Sequence, residues 1–595
     1  MESVDLTVVG AGWNGLAAIK TYLEVNPSSN VLLLEAASSV GGVWGKHRLY
    51  KGLKSNNMLG TYEFSDFPMD EATFGVKPGE HIPGHVIQLY LESYAVHFGF
   101  IDRICLETRV RTAEHKPDGS WLLTASGADG KESTIATKKL IMATGITSEP
   151  YLPTFKGQDT FSAPLFHCFD LPKYERQILK SEKRVAVFGG TKSAWDAVYA
   201  CATSNMQVDW IIRESGHGPV WMAPAYVTPL KKWLEKLVTT RFLTWFSPCI
   251  WGEADGFGVV RRFLHGTWLG RKIVDSFWSV LANDVIQLNG FEKHPETKKL
   301  KPWVSPFWIA SGLSILNYPT NIFDLVKSGA VNVHIADISH LSPNTVHLSN
   351  GETIPTTALI CSTGWNATPN IKFLPEGIDK TLGFPWCEDP IDNPILKAAD
   401  EEILHRFPRL VNQPNPNPKF TPLAASAAAC TPHPFRLYRF IVPTGLIKER
   451  SIVFLGVTMT INTSLLAQTQ ALWATAYLCD RLTLSPSSSL SLPVPSTLKD
   501  TESQLNIPSQ SSLDLEWDTA LHTEFGKYRY PAGFGKRNPD FVFDAIPYID
   551  LLLRDLGLPI ERGRGILSRC FSPYGVEDYR GLVREWLSGN KEAKK

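Results

Sequence analysis

The run Val4-Asp5-Leu6-Thr7-Val8-Val9-Gly10-Ala11-Gly12-Trp13-Asn14-Gly15 places a short strand directly ahead of three spaced glycines. Leu16 to Leu23 continues as a helix, and Val31 to Leu34 is a second apolar strand that ends at Glu35. Strand, glycine turn, helix, second strand and terminal acid are the parts of a dinucleotide-binding βαβ unit. In such a unit Gly10 permits the tight turn, Gly12 lets backbone approach a pyrophosphate, and Gly15 lets helix pack on strand. Trp13 and Asn14 start the helix, whose free N–H groups and partial positive charge face the phosphates. Glu35 stands where an acidic side chain accepts hydrogen bonds from an adenosine ribose.

A second turn, Gly189-Gly190-Thr191-Lys192-Ser193-Ala194, follows the strand-like Val185 to Phe188. Thr191 replaces the middle glycine and Ala194 the third, so this backbone approaches its ligand less closely. The next strand, Val208 to Ile212, is followed by Arg213 instead of an acid. A guanidinium there forms a forked pair with a ribose 2′-phosphate that a carboxylate would repel, which favours NADPH over NADH. The alternative for Arg213 is a surface arginine paired with Glu214. Lys192 adds positive charge near the same phosphates, and Ser193 offers its hydroxyl either to a phosphate or to a helix cap. Two dinucleotides on one chain are therefore expected.

The chain has 595 residues, too many for one core, and Lys+Arg and Asp+Glu total 59 each. That balance leaves no net field to draw nucleic acid or an anionic membrane. The 9 cysteines are scattered singly, without metal-ligand or redox-pair spacing, so no metal is expected and a reduced, cytoplasmic protein fits. The first strand begins almost at residue 1, which leaves no room for a signal or transit peptide. No apolar run is long enough for a spanning helix. Trp233 to Trp251 reads as a buried helical insertion, with peripheral membrane contact as the alternative.

The layout predicts an α/β protein with two Rossmann-like dinucleotide-binding domains, one inserted in the other. Residues 1–170 form the first part of the outer domain and 171–330 the inner domain, with a helical insertion at about 222–302. Residues 331–482 complete the outer domain, and 483–595 are a linker and C-terminal extension. Ala358 to Cys361 and Ile452 to Val457 read as strands returning to the first sheet. Asn412 to Lys419 and Leu484 to Ser496 are rich in Pro, Asn or Ser and read as loops. Phe541 to Leu556 reads as a helix, and Asn590 to Lys595 as a frayed end.

Shorter patterns follow in a fixed order. Gly41-Gly42-Val43-Trp44 comes after Glu35, then Leu53-Lys54-Ser55-Asn56 and Phe64-Ser65-Asp66-Phe67-Pro68. Phe161 to Asp170 contains His167, with Ala163 where a glycine is usual. Ala143-Thr144-Gly145 and Ser362-Thr363-Gly364-Trp365 form a pair, and Ile452 to Gly456 precedes Gln468 and Gln470. In this order, with two fingerprints, the chain resembles the flavin-containing monooxygenases, a family of class B flavoprotein monooxygenases, from Met1 to about Leu482. Arg529-Tyr530-Pro531-Ala532-Gly533 and Asp550 to Gly557 resemble fungal members associated with secondary-metabolite pathways.

The resemblance implies FAD at the first turn, in the outer domain, and NADPH at the second, in the inner one. Gly42, Trp44 and Gln470 would lie against the flavin, and Thr363 and Gly364 in a linker between the domains. It implies hydride transfer from NADPH to FAD, addition of O2, and a C4a-hydroperoxyflavin that gives one oxygen atom to a small organic substrate. Asn56 is the expected catalytic residue, because an amide can hydrogen-bond the peroxide without supplying an acidic proton. Its alternative is a turn asparagine beside Asn57. His167 reads as a packed structural histidine, and Thr144 and Thr363 as linker residues. Two other functions stay open. A Baeyer–Villiger monooxygenase acting on a ketone usually has a Tyr-Pro-Gly segment where this chain has Tyr50-Lys51-Gly52. A dinucleotide-binding protein without turnover is kept open by Thr191 and Ala163. A disulfide reductase lacks its cysteine pair here.

Overall fold

Two largely parallel sheets carry the two turns. The structure, a computed structural model, describes residues 2–178, 183–227, 231–366, 368–387, 393–415, 417–423, 432–484, 494–495 and 510–592. In the first sheet β1 (Glu2–Val9) lies between β2 (Val31–Leu34) and the long strand Glu132–Met142, parallel to both. Ile452–Phe454 also pairs with Glu132–Met142, as expected for a returning strand. Val4, Leu6 and Val8 of β1 are buried, as a parallel strand covered on both faces requires. The helix α1 (Trp13–Val25) buries Leu16, Ala17, Ala18 and Ile19 completely, between the sheet and the helix Thr463–Leu478.

The second sheet runs Leu165–His167, Leu359–Cys361, β4 (Arg184–Phe188), β5 (Gln207–Ile212) and Val331–Ile335, all parallel. Leu359–Cys361 therefore corrects the expectation that it closes the first sheet. Its three residues are buried and apolar, which both sheets demand equally, so composition could not assign it. Leu165–His167, expected in the first part of the outer domain, is likewise a strand of this second sheet.

Between β5 and Val331–Ile335 the chain leaves the sheet for a set of helices that includes Leu234–Val238, Arg241–Thr244, Gly258–Gly266 and Trp268–Asn289. These pack on the C-terminal extension, some 300 residues further on, and share a core with the first sheet. Trp251 meets Phe541 with ring centroids 5.0 Å apart, and Trp278 meets Phe543 at 4.8 Å. A fully buried ion pair, Arg241 with Asp550, ties the two segments, and removing one partner of such a pair costs about 3–5 kcal/mol. The helix expected from Phe541 begins at Ala545, because Asp540–Phe541 is a short strand beside Met459–Thr460.

Most of Trp233 to Trp251 is buried, and among the described residues no helix is long and apolar enough to cross a membrane. Cys387 is disulfide-bonded, which corrects the expectation of a wholly reduced chain. Spacing along the sequence does not report which thiols folding brings together. Leu484 to Ser496 lies almost wholly outside the described residues, as do residues 593–595.

Candidate active site

At the first turn, two glycines answer to the protein and one does not. A Cβ on Gly10, whose φ is +106°, would fall 2.5 Å from Ala143 O, and one on Gly15 would fall 1.8 Å from Gly10 O. Gly12 has an ordinary φ of −85°, and a Cβ there would meet nothing closer than Gly42 Cα at 3.6 Å. No neighbouring atom forbids a Cβ at Gly12, so the protein leaves open space there, beside the start of α1. The start of α1 has no side-chain cap, which leaves its N–H groups for an anion.

The residues around this cradle fit FAD. Glu35 sits at the mouth of the turn, its two oxygens accepting N–H groups of Ala11 at 2.7 Å and Ala37 at 2.8 Å, and burial pushes its carboxyl up. The Trp13 ring packs between Tyr62 and Phe64, both 4.7 Å away, so its contribution to a ligand is its backbone N–H. Asn14 lies against Gly456, and Trp44 donates to the Tyr62 hydroxyl at 3.0 Å. Gln470 is fully buried. It accepts the Gly456 N–H at 3.4 Å and donates to the Tyr548 hydroxyl at 3.0 Å, supporting that turn from behind. Just beyond it, Thr458 Oγ1 and Asn462 Nδ2 are buried without hydrogen-bond partners, a state that buried polar groups rarely keep without a ligand or water.

Asn56 lies in β3 (Lys54–Met58), a strand and not a turn. Strand alternation buries Ser55 and Asn57 on one face and leaves Asn56 half-buried on the other. Its neighbours are held firmly: Asn57 Nδ2 donates to Glu235 and to Ile461 O at 3.0 Å, and Asn317 Nδ2 donates to Lys54 O and Ser55 O. The Asn56 amide makes no hydrogen bond among the described residues.

Glu235 was not foreseen from the sequence. It is 2% exposed and receives Asn57 Nδ2, Met58 N–H at 2.9 Å, Thr61 Oγ1 at 3.2 Å and Trp233 Nε1 at 2.8 Å. Burial nevertheless pushes its carboxyl up to about 7. The available signal was a lone acid on the apolar stripe Trp233-Leu234-Glu235-Lys236-Leu237-Val238.

At the second turn, Gly189 backs onto Ser362 and the helix α2 (Lys192–Ala202) starts after Thr191, which is its N-cap. Ser193 is therefore inside the helix, and the capping alternative for it falls. Lys192 pairs with Asp196 and donates to Asn317 Oδ1 at 3.1 Å. Arg213 is 3.3 Å from Asp337 and donates to Ser215 Oγ and Thr421 O, both at 2.7 Å, while Glu214 pairs with Lys419 instead. Thr363 donates to Tyr151 O at 2.6 Å, joining the two linkers ahead of Gly364. His167 is buried, its ring 4.8 Å from Trp365 and its Nδ1 accepting the Phe169 N–H, and burial pulls its pKa down to about 4. That is the structural histidine the sequence suggested.

The family model described as flavin-binding monooxygenase-like matches residues 4–247. The chain is 33% identical to an FAD-dependent monooxygenase of Aspergillus nomiae, covering 98% of each chain. It is also 33% identical to one of Aspergillus sclerotiorum, over 99% of each. Among solved structures, the open form of cyclohexanone monooxygenase is 15% identical and superposes with a TM-score of 0.56 over 99% of this chain and 98% of its own, a likeness of fold. On that full-length kinship, the chain belongs to the FAD-dependent monooxygenases of the flavin-binding monooxygenase-like family.

Proposed function

We propose that this enzyme takes electrons from NADPH and uses O2 to place one oxygen atom in a small organic substrate, with FAD at the first turn and NADPH at the second. When bound, FAD supplies hydride acceptance and oxygen activation. The observation that carries this reading is the open space at Gly12, where no protein atom comes closer than 3.6 Å to a Cβ and a pyrophosphate could approach. The N–H groups of Trp13 and Asn14 hold the FAD pyrophosphate, Glu35 takes ribose hydroxyls, and Gly42 and Trp44 lie along the cofactor. Gln470 keeps the Gly456 turn in place, and Thr363 and Gly364 set the linker between the sheets.

The uncommitted Asn56 amide would donate a hydrogen bond to oxygen activated at the flavin without supplying an acidic proton. Glu235 and Asn317 hold its strand still. At the second turn Gly189, Thr191, Lys192 and Ser193 surround the NADPH phosphates. Arg213 exchanges its bond to Thr421 for the 2′-phosphate. A place in secondary-metabolite biosynthesis rests on the resemblance of Arg529 to Gly533 and of Asp550 to Gly557 to fungal members of such pathways.

Baeyer–Villiger oxidation of a ketone is the second reading, favoured by the likeness of fold to cyclohexanone monooxygenase. Purified protein should be yellow and oxidise NADPH in air. A panel of amines, thioethers and ketones under oxygen-18 gas separates the two readings by which product carries the label. Failure to oxidise NADPH would reject both.

A further inference from the structure

Arg48 follows the Gly41-Gly42-Val43-Trp44 turn, and its guanidinium lies 4.8 Å from the ring centroid of Phe169 and 5.0 Å from that of Trp365. Its hydrogen bond runs from Nη1 to Thr147 O at 3.0 Å. Among the described residues no carboxylate pairs with it, and the acids nearby are taken. Asp170 pairs with Lys173, Asp196 with Lys192 and the Tyr318 hydroxyl, and Glu175 accepts the Lys51 N–H. Burial pulls the Arg48 pKa down to about 10, as befits a charge without its counter-ion.

Phe169, on which Arg48 stacks, belongs to the short segment Cys168–Asp170 that packs against α2, and Trp365 follows Ser362-Thr363-Gly364, which brings this guanidinium to the side of the second glycine turn. Ser362 O would be 2.5 Å from a Cβ on Gly189, and Ser362 Oγ is buried with no hydrogen-bond partner among the described residues beyond the weakly bonding Cys168 thiol. The start of α2, an 11-residue helix, has no side-chain cap. A cation without a carboxylate partner, a buried hydroxyl held by nothing stronger than a thiol and open helix N–H groups thus lie close together.

We propose that Arg48 and Ser362 complete the binding site for the pyrophosphate of the nicotinamide dinucleotide, so that a residue beside the flavin turn grips the nucleotide carried by the second sheet. This rests on the reading that the second turn binds NADPH. A planar guanidinium fixed between two rings can meet two phosphate oxygens side by side, which a lysine cannot. The pyrophosphate is common to NADPH and NADH, whereas the 2′-phosphate is not. Arg48 and Arg213 are therefore separable.

The test is calorimetric binding of NADP+ and NAD+ to FAD-loaded wild type, Arg48→Ala, Arg48→Lys and Arg213→Ala. Arg48→Ala should weaken both nucleotides by the same factor, about tenfold or more, and Arg48→Lys should weaken both by less. Arg213→Ala should weaken NADP+ alone. Wild-type affinities in Arg48→Ala would overturn the inference while leaving the NADPH site standing. If that variant does not fold, wild-type affinities in Arg48→Lys do the same. Wild-type protein that bound neither nucleotide would overturn the NADPH reading and this inference with it.

Discussion

At the first turn a Cβ on Gly15 would lie 1.8 Å from Gly10 O, whereas the matching place in the second turn holds Ala194, fully buried and accommodated. The first helix sits so near its strand that only glycine fits, and the acid that follows, Glu35, closes on the N–H of Ala11. The second turn admits Thr191 and Ala194, and its following residue, Arg213, is bonded to Thr421 from a separate segment. The first turn is packed rigidly by its own backbone. On the proposed assignment the second must trade contacts to receive its nucleotide. That contrast suits a resident flavin and an exchanging nicotinamide nucleotide.

The sharpest way to break the contrast is Gly15→Ala. Its methyl would run into the Gly10 carbonyl at 1.8 Å with the Ala143 methyl on the other side, so a cost of about 3 kcal/mol or more is expected, with loss of FAD. Ala194→Gly in the second turn should leave FAD content and melting temperature almost unchanged. Equal damage from the two, read from flavin absorbance and thermal melts, would erase the distinction. Next in size, Arg213→Ala should raise the KM for NADPH by about tenfold while that for NADH moves little. Parallel losses would leave Arg213 as a structural partner of Asp337.

A smaller effect is expected at Asn56. Replacing it with Ala should leave flavin reduction by NADPH at the wild-type rate but raise hydrogen peroxide released per NADPH about threefold to tenfold, the loss of one neutral hydrogen bond. Unchanged coupling between NADPH and product would reject the role.

The smallest effect is at the clamp behind Asn56. Burial raises the Glu235 carboxyl from 4.5 to about 7, so between those values the folded chain keeps a proton that the unfolded chain has released. Its contribution to stability is present below pH 4.5 and is lost as pH rises to 7. The melting temperature of wild type minus that of Glu235→Gln should therefore fall across that window. A constant difference would mean that the carboxyl does not titrate there.

What could be read from the sequence was what is local. β1, α1, β2, β4 and β5 announce themselves because apolar runs and glycines at fixed spacing encode a single βαβ unit. The strand Leu359–Cys361 was misassigned because three buried apolar residues carry no label for their sheet, which depends on pairing partners 173 and 194 residues upstream. The candidate site divided in the same way. Glycines and acids inside one unit were legible, whereas Glu235 and Arg48 act on segments far away in sequence, and their single charges look like any surface charge until the packing is seen. Arg213 is singled out by its position after a strand, but its present partners, Asp337 and Thr421, come from elsewhere in the chain and were not legible.

The measurement that bears most directly on the account is the FAD content of wild type and Gly12→Val after purification and reconstitution. With φ at −85° and no atom closer than 3.6 Å to the new Cβ, the variant should fold and melt like FAD-free wild type. Wild type should hold FAD stoichiometrically and the variant should be colourless. A colourless wild type that refuses FAD, or a valine variant that keeps it, would contradict the claim that this turn is where the flavin binds.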